Sequence, residues 1–381
     1  MDFALTKKQS ELKQSLIEFA ESELGGDMRG REHAGEFFWQ GWKKSAAFGI
    51  QGLPVPERYG GRGEDAVMCM VAMQALGYGC RDSGLLFTLN SHMWTCEMPI
   101  VQFGSEEQKQ AYLPGMVAGT IVGGHAVTEA EAGSDAFALR TTAVRKGDRY
   151  ILDGTKTFVS NAPIAGVFLV FAATNPKLGW AGISAFLVAR DTPGLHISGP
   201  VDKMGLKTSP TGTLSLDRCE VPETAMLGRP GQGSAIFNAE MEWERSCLFA
   251  SHLGAMQRQL QTCIHHSKHR TQFGKPIAEF QGISHKLADM KVRIELAELI
   301  LAKVAWLKSQ GKRAHMEAAI AKLFVSESYV ASSLDAIQIH GGKGYLPEFE
   351  VERDLRDAVG SRLYSGTSEI QRNIIARLLG V

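Results

Sequence analysis

The hydrophobic and polar positions follow three successive patterns along the chain. Over the first 120 residues, apolar side chains recur at helical spacing, for example at Leu5, Leu12 and Leu16. Thr6 followed by Gln9 predicts a capping box at the start of the first helix. From about residue 120 the segments become short, β-branched and separated by glycine and proline, which is typical of strands. Long amphipathic stretches then predict helices over roughly 234–268, 280–309, 315–338 and 367–379.

These patterns predict an α+β protein of several domains. The expected parts are an N-terminal helical domain over 1–120, a middle β domain over 121–232 and a C-terminal helical bundle over 233–381. Asp153-Gly154 lies between two strand-like runs and predicts a hairpin turn, because such a turn needs positive φ. The most apolar run, Ile164–Ala173, has about half the length that spans a bilayer and predicts a buried strand.

Composition and charge exclude several classes of protein. The chain has 381 residues with 44% hydrophobic and 22% charged residues, so extensive disorder is excluded. Lys+Arg and Asp+Glu are both 41, which leaves no excess of positive charge for nucleic acid or an anionic membrane. The polar N-terminus is unlike a signal peptide, so we expect a soluble, cytoplasmic protein. Its six cysteines have no metal-finger spacing and are expected to be buried thiols.

Several common catalytic motifs are missing from the sequence. A GKS/T phosphate loop, an N-terminal Rossmann fingerprint, HExxH and GxSxG are all absent, which disfavours hydrolases and metalloenzymes. His265, His266 and His269 lie on a charged helix, and we expect them on a solvated face rather than at a metal. No metal site is therefore predicted.

Four polar clusters remain as candidates for chemistry. TEAEAGSD at 128–135 suits either an anion or polar ring, or an ordinary N-cap turn, and these alternatives are equal. FVSN at 158–161 suits a flat cofactor, although core packing plus a turn is the favoured interpretation. RTQFG at 270–274 predicts a helix that ends at glycine with a basic last turn. In YSGTSE at 364–369, Thr367 is the expected N-cap of the last helix, whose N-terminus could hold a phosphate.

Taken in order, five segments resemble the acyl-CoA dehydrogenase family over the whole chain: AVTEAEAGSD, GTKTFVSNA, RTQFGKPIAEFQ, QIHGGKGY and YSGTSEIQRNIIAR. The resemblance implies a helical N-terminal domain, a middle β domain and a C-terminal four-helix bundle. It also implies bound FAD, held between the β domain and the bundle and across a subunit interface, and usually a homotetramer.

The resemblance assigns roles around FAD position by position. Val127 and Thr128 match residues at the pyrimidine side of the flavin, and Ser134 matches one near the pyrophosphate and the substrate. Phe158 takes a place usually held by tryptophan on the ring, and Ser160 takes that of a threonine near flavin N5. The residues matching contacts to FAD on a neighbouring subunit are Arg270, Phe273, Gln338 and Gly342. Those matching the region of the FAD phosphates and adenosine are Thr367 and Glu369.

The catalytic base departs from the family's usual pattern. Most members have a glutamate where this chain has Ser365, and serine cannot remove an α-proton at neutral pH without an activating base. A minority, resembling isovaleryl-CoA dehydrogenase, place the glutamate on a bundle helix directly before an arginine. Glu244 precedes Arg245 in this way, so Glu244 is the expected base and Arg245, like Ser134, is assigned to the substrate. The alternative for Glu244 is a charged residue on a helix surface.

A narrower resemblance concerns the substrate. Serine in place of the usual glutamate, together with WER followed by CLFA, is similar to the prolyl carrier-protein dehydrogenases of antibiotic and pigment pathways. The expected function is thus FAD-dependent α,β-dehydrogenation of a prolyl thioester on an acyl or peptidyl carrier protein. The alternatives are a short branched-chain acyl-CoA dehydrogenase, and an FAD-fold monooxygenase or other flavoprotein in which Glu244 is structural. Electron-transfer flavoprotein and dioxygen are both expected as possible acceptors.

Overall fold

The computed structural model describes residues 4–381. Helices form the N-terminal part, and Thr6 and Gln9 make the predicted capping box at the first of them. A π-helical segment, Met93–Glu97, joins two of these helices without a break. The helices are α1 (Lys7–Glu23), α2 (Met28–Ala34), α3 (Trp39–Phe48), α4 (Ala66–Gly79), α5 (Ser83–His92), α6 (Met98–Phe103) and α7 (Glu106–Val117).

An eight-stranded mixed sheet follows. Its strands are β1 (Gly123–Ala126), β2 (Thr142–Lys146), β3 (Arg149–Ser160), β4 (Val167–Ala173), β5 (Ile183–Ala189), β6 (Leu195–Ser198), β7 (Thr211–Pro222) and β8 (Met226–Leu227). The order is β6-β7-β3-β1-β4-β5-β8, and β2 pairs with both β3 and β4. Every residue of β4 is buried, as the apolar run predicted. The central strand β1 is thereby fixed between β3 and β4, with its carboxyl end free to carry a site.

Long helices complete the chain and pack on the N-terminal ones. They are α8 (Gly233–His269), α9 (Gln281–Ser309), α10 (His315–His340), α11 (Val351–Ser361) and α12 (Ser368–Leu379), with a small hairpin of β9 (Thr271–Gln272) and β10 (Lys275–Pro276) after α8. Where α4 crosses α8, Gly77 lies against Ser251 O and Gly254 against Gln74 O, so close that a Cβ would clash in both cases. This close crossing fixes α8 firmly against the N-terminal helices.

Two local predictions were wrong. Asp153-Gly154 does not form a hairpin but lies inside β3 at a register shift, and the turn is made by Gly147-Asp148. Asp153 instead accepts a hydrogen bond from Arg218 N at 2.7 Å. The helix before the RTQFG segment ends at His269 rather than at glycine. Phe273 and Gly274, both with positive φ, form the turn between β9 and β10.

All six cysteines are free and buried, as expected. Burial raises the pKa of the Cys80 and Cys247 thiols to about 12, which makes both poor nucleophiles. Within residues 4–381, no helix is long and apolar enough to cross a membrane.

Candidate active site

The carboxyl ends of β1 and β3 bring four predicted residues together. Thr157 N donates to Thr128 O at 2.8 Å, which places Val127 and Thr128 directly beside Phe158. Ser160 pairs with His125 of β1 in the antiparallel register. Phe158 has φ of 54° and its side chain is 70% exposed, so the strand turns an aromatic ring into solvent here. The favoured alternative of simple core packing therefore does not hold for the Phe158 ring.

The loop after β1 carries Ser134 and is anchored by an ion pair that the sequence analysis missed. Lys156 Nζ donates to Glu129 at 2.7 Å, and the same carboxylate accepts hydrogen bonds from Arg140 N and Thr141 N. Burial lowers the pKa of Lys156 to about 8, only partly offset by Glu129. Ser134 is exposed, and no helix follows this loop before β2 begins, so the alternative of a helix N-cap does not hold.

Glu244 lies on α8 with its side chain buried rather than on a helix surface. The residue is 8% exposed. Burial raises the pKa of its carboxyl, and the nearby His125 and Arg245 offset this only in part. A buried carboxyl with a raised pKa has the property that a general base needs near neutral pH. Burial also lowers the pKa of Arg245 to about 10, and its Nε donates to Ser365 O at 3.0 Å.

Ser365 lies beside Glu244 although the two are far apart in sequence. Its hydroxyl acts to lower the pKa of the Glu244 carboxyl, while Oγ is buried and makes no hydrogen bond of regular geometry. Ser365 and Gly366 have φ of 57° and 86°, a bend that brings the chain back toward α8 before α12 begins. The two positions at which the family resemblance expects a base therefore converge on one place, and only position 244 has a carboxylate.

Thr367 caps α12 as predicted, accepting a hydrogen bond from Ile370 N. Glu369 lies in the first turn of this helix with an exposed side chain. Its own backbone N–H and the Thr367 hydroxyl lower the pKa of its carboxyl. The N-terminus of α12 thus already has an acidic group that would share its donors with any phosphate placed there.

A second buried acid, Glu240, was missed by the sequence analysis. It lies one helical turn before Glu244 and is 1% exposed. Its Oε1 lies 2.5 Å from Nε2 of His125, which reaches it from β1. The signals in the sequence were two glutamates four residues apart on one helix and a histidine within the apolar strand GGHAV. Neither signal alone indicates that the side chains meet.

The remaining predicted residues lie at the opposite end of α8. A rise of ~1.5 Å per residue puts about 37 Å of helix between Glu244 and His269, where the helix ends. Arg270 is exposed there, and Phe273 is 93% exposed on the β9–β10 turn. His266 stacks on His340 at 4.3 Å, which places the end of α10 beside the end of α8. The exposed Gln338 and Gly342 belong to this same end.

Two further features lie outside these clusters. A cleft lies between α8 and α11, and none of the predicted site residues lines it; its walls include Arg81, Arg258, His340 and Glu350. Over the described part of the chain, no group of three or more His, Cys, Asp or Glu side chains is arranged to hold a metal ion. The buried acids Glu240 and Glu244 and the exposed ring of Phe158 lie elsewhere, around β1, β3 and α8.

Sequence comparison defines the class. The profiles of the acyl-CoA dehydrogenase N-terminal, middle and C-terminal domains match residues 6–120, 124–219 and 231–380. The chain belongs to the acyl-CoA dehydrogenase family, and it has that family's three-domain architecture of two helical domains around a β domain.

Within this family the chain is similar to enzymes that act on prolyl groups. It is 45% identical over 351 residues to the L-prolyl-[peptidyl-carrier protein] dehydrogenase of Pseudomonas fluorescens, covering 92% of each chain. The prolyl acyl carrier protein oxidase AnaB has a crystal structure with a TM-score of 0.98 and 46% identity, covering 99% of this chain and 100% of AnaB. PigA with FAD and proline also has a TM-score of 0.98, at 40% identity, covering 100% of this chain and 99% of PigA.

The residues at the β1–β3 edge fit a flat, polar-edged cofactor such as FAD. An exposed aromatic ring, Phe158, stands beside Thr157, whose buried hydroxyl has no hydrogen-bond partner. An exposed ring and a polar atom without a partner on the same short stretch of β3 suit a ligand with an apolar face and hydrogen-bonding edges.

Proposed function

We propose that the protein is an FAD-dependent dehydrogenase that introduces an α,β double bond into a prolyl thioester carried by an acyl or peptidyl carrier protein. The observation that supports this most directly is the convergence of positions 244 and 365, with a buried carboxylate at 244 alone. The prolyl group and the carrier protein come from the relatives, one of which is named for this substrate and shares 45% identity.

In the proposed mechanism Glu244 removes the proton on the α-carbon of the thioester. Its raised pKa makes the carboxylate a stronger base than an exposed glutamate, and burial keeps water from competing for the proton. Arg245 holds the 365–366 bend in place through Ser365 O, and its guanidinium beside the base is the group proposed to contact the substrate. When bound, FAD supplies the acceptor for the hydride that leaves the β-carbon with its electron pair.

The proposed FAD contacts follow from the clusters. Val127, Thr128, Phe158 and Ser160 would hold the flavin at the β1–β3 edge, and Ser134 would lie near the pyrophosphate and the substrate. Thr367 and Glu369 would lie near the phosphates and adenosine. The exposed residues at the far end of α8 would contact FAD of a neighbouring subunit: Arg270, Phe273, Gln338 and Gly342.

A homotetramer is part of this proposal. On α9, Val292, Leu296 and Leu299 are exposed at helical spacing and form an apolar stripe with no cover from the described chain. Such a stripe suits contact with another copy of the chain. The acceptor of the electrons is proposed to be an electron-transfer flavoprotein, with dioxygen as the alternative. The six buried thiols suit a reducing compartment such as the cytosol.

Anaerobic mixing tests the proposed reaction. The purified protein should bind one FAD per chain, and a prolyl-loaded carrier protein should bleach the flavin without oxygen. A protein that takes up no FAD would exclude the dehydrogenase and the other flavoprotein alternatives together. A bound flavin that stays oxidised with prolyl and acyl thioesters alike would exclude a dehydrogenase and favour a monooxygenase or scaffold. Bleaching by branched-chain acyl-CoA but not by the loaded carrier protein would favour the second candidate, a short branched-chain acyl-CoA dehydrogenase.

A further inference from the structure

The buried carboxylate of Glu240 has one oxygen that accepts no hydrogen bond within the described chain. One oxygen, Oε1, is bonded to His125 at 2.5 Å. The other, Oε2, is buried and has no hydrogen-bond partner. A buried acid with one free oxygen is costly, since an unsatisfied polar atom away from water loses its hydration without compensation. Such an atom in a native fold calls for a ligand or another specific role.

Glu240 lies beside Glu244, the proposed base. Residues four apart on a helix lie on one face with Cβ atoms about 5–6 Å apart, so Glu240 is the neighbour of Glu244 on α8. The two carboxyls influence one another, because the charge of Glu244 raises the pKa of Glu240. His125 in turn is the register partner of Ser160, at the edge assigned to the flavin. The free oxygen is thus close to the base and to the cofactor edge together.

His125 fixes the orientation of this carboxylate. Its ring stacks on Phe237 of α8 at 6.4 Å and lies edge-on to Phe171 of β4 at 5.7 Å. Burial lowers the pKa of His125, but the charges of Glu240 and Glu244 outweigh this and raise it overall. A ring held on two sides offers Glu240 one geometry, which leaves Oε2 free to accept from a further donor.

An aminoacyl thioester brings such a donor to this place. In a prolyl thioester the amine nitrogen is bonded to the α-carbon, the atom from which Glu244 is proposed to take the proton. A carboxylate one helical turn from the base can therefore contact the nitrogen while the base faces the α-carbon. Burial raises the pKa of Glu240 to about 7, so a bound ammonium group would readily shift it to the charged form.

We propose that Glu240, oriented by His125, binds the amine of the aminoacyl group and makes the enzyme select amino acid thioesters over simple acyl thioesters. This inference rests on the proposed function and adds the group that recognises the substrate. A charge-assisted hydrogen bond from the ammonium to Oε2 would satisfy the unpaired oxygen and hold the ring with its α-hydrogen toward Glu244. A substrate without the amine would leave Oε2 unpaired, which is a strong basis for rejection.

Two thioesters that differ only at the nitrogen test this. A phosphopantetheinylated peptidyl carrier protein is loaded with L-proline or with cyclopentanecarboxylic acid, and flavin reduction is followed anaerobically; the two pantetheine thioesters form a parallel arm. The wild type should prefer the prolyl substrate by about 10- to 100-fold. Glu240→Gln should lose about that factor on the prolyl substrate, while its rate with the carbocycle stays within about threefold of the wild-type rate.

Glu242→Gln is the matched control. It makes the same substitution on α8, but Glu242 faces the other helices, where it bonds Ala314 N at 3.0 Å and His315 at 2.9 Å. This variant should keep the wild-type preference. If Glu240→Gln loses both substrates equally or keeps the preference, the inference is wrong while the dehydrogenase assignment stands. If the wild type reduces its flavin with neither substrate, the proposed function itself fails and the inference with it.

A binding measurement on the wild type covers the case in which Glu240→Gln does not fold. L-Prolinamide and cyclopentanecarboxamide have the same shape around the α-carbon, and each is titrated into the FAD-loaded enzyme while the flavin absorbance is recorded. L-Prolinamide should perturb the flavin at concentrations at least about 10-fold lower than the carbocycle. Equal perturbation by both compounds would overturn the proposed amine contact.

Discussion

The two ends of α8 differ in how far the candidate site residues there are enclosed by their own chain. At the near end, Glu240 and Glu244 are buried, and the surrounding side chains of β1 and the 365–366 bend come from the same chain. At the far end, Arg270 and Phe273 are exposed, and the Phe273 ring lies edge-on to the Phe280 ring at 6.1 Å. Burial sets the pKa values of the near end, whereas the far end has exposed groups whose interactions in one chain are screened by solvent.

This difference separates chemistry from assembly. A buried carboxyl obtains its basicity from its own chain, so we expect substitutions at the near end to change the rate of flavin reduction and leave the assembly intact. Exposed groups contribute to binding energy only when another surface covers them. We therefore expect substitutions at the far end to change FAD retention and assembly together.

The near end should respond most strongly to Glu244→Gln. The amide keeps the shape of the side chain but cannot accept the α-proton, so anaerobic flavin reduction should slow by about 100- to 10,000-fold. FAD content and the elution volume in gel filtration should match the wild type. Reduction at nearly the native rate would remove Glu244 from the base role.

The far end should respond to Arg270→Ala by weaker FAD binding, by about 10-fold or more, together with partial loss of the assembly. FAD content after gel filtration and the mass from light scattering measure the two effects. Arg229→Ala is the matched control, an exposed arginine just before the near end of α8. A variant that keeps full FAD and the wild-type mass would contradict the proposed contact with a neighbouring subunit.

The two ends also differ in how far the sequence could predict them. The residues of the far end were predicted from local sequence motifs. The predicted end of α8 was nevertheless wrong, because Phe273 and Gly274 adopt positive φ in the turn of a hairpin and do not cap the helix. At the near end, the sequence order WER pointed to Glu244. The pairing of His125 with Glu240 could not be predicted, since 115 positions separate them and only the packing of β1 against α8 joins them.

Ser365→Ala tests whether position 365, where most of the family has its glutamate, takes part in the reaction. The Ser365 hydroxyl is a much weaker base than the Glu244 carboxylate beside it and makes no regular hydrogen bond, so flavin reduction should stay within about threefold of the wild type. Because positions 244 and 365 converge, adding Ser365→Glu to the Glu244→Gln variant should restore part of the lost rate. Loss of all reduction in Ser365→Ala alone would contradict the assignment of the base to Glu244.

A buried amine at the near end should have a small effect on the stability of the protein. Lys322 of α10 is fully buried, and its Nζ has no hydrogen-bond partner. Burial and the charge of Arg245 lower the pKa of Lys322 to about 7, whereas in the unfolded chain it should be about 10.4. Between these values the unfolded chain binds the additional proton, so this group makes the protein more stable as the pH rises from 7 toward 10.

Lys322→Met should remove this dependence because the thioether does not titrate. At pH 7 the variant should melt about 1–3 °C above the wild type, since a buried amine without a hydrogen-bond partner is replaced by an apolar side chain of similar length. The difference should shrink as the pH rises toward 9, where the wild-type amine is largely neutral in the fold. Melting temperatures of both proteins at several pH values measure it. A difference that stays constant over this range would mean that Lys322 does not titrate in the folded protein between pH 7 and 9.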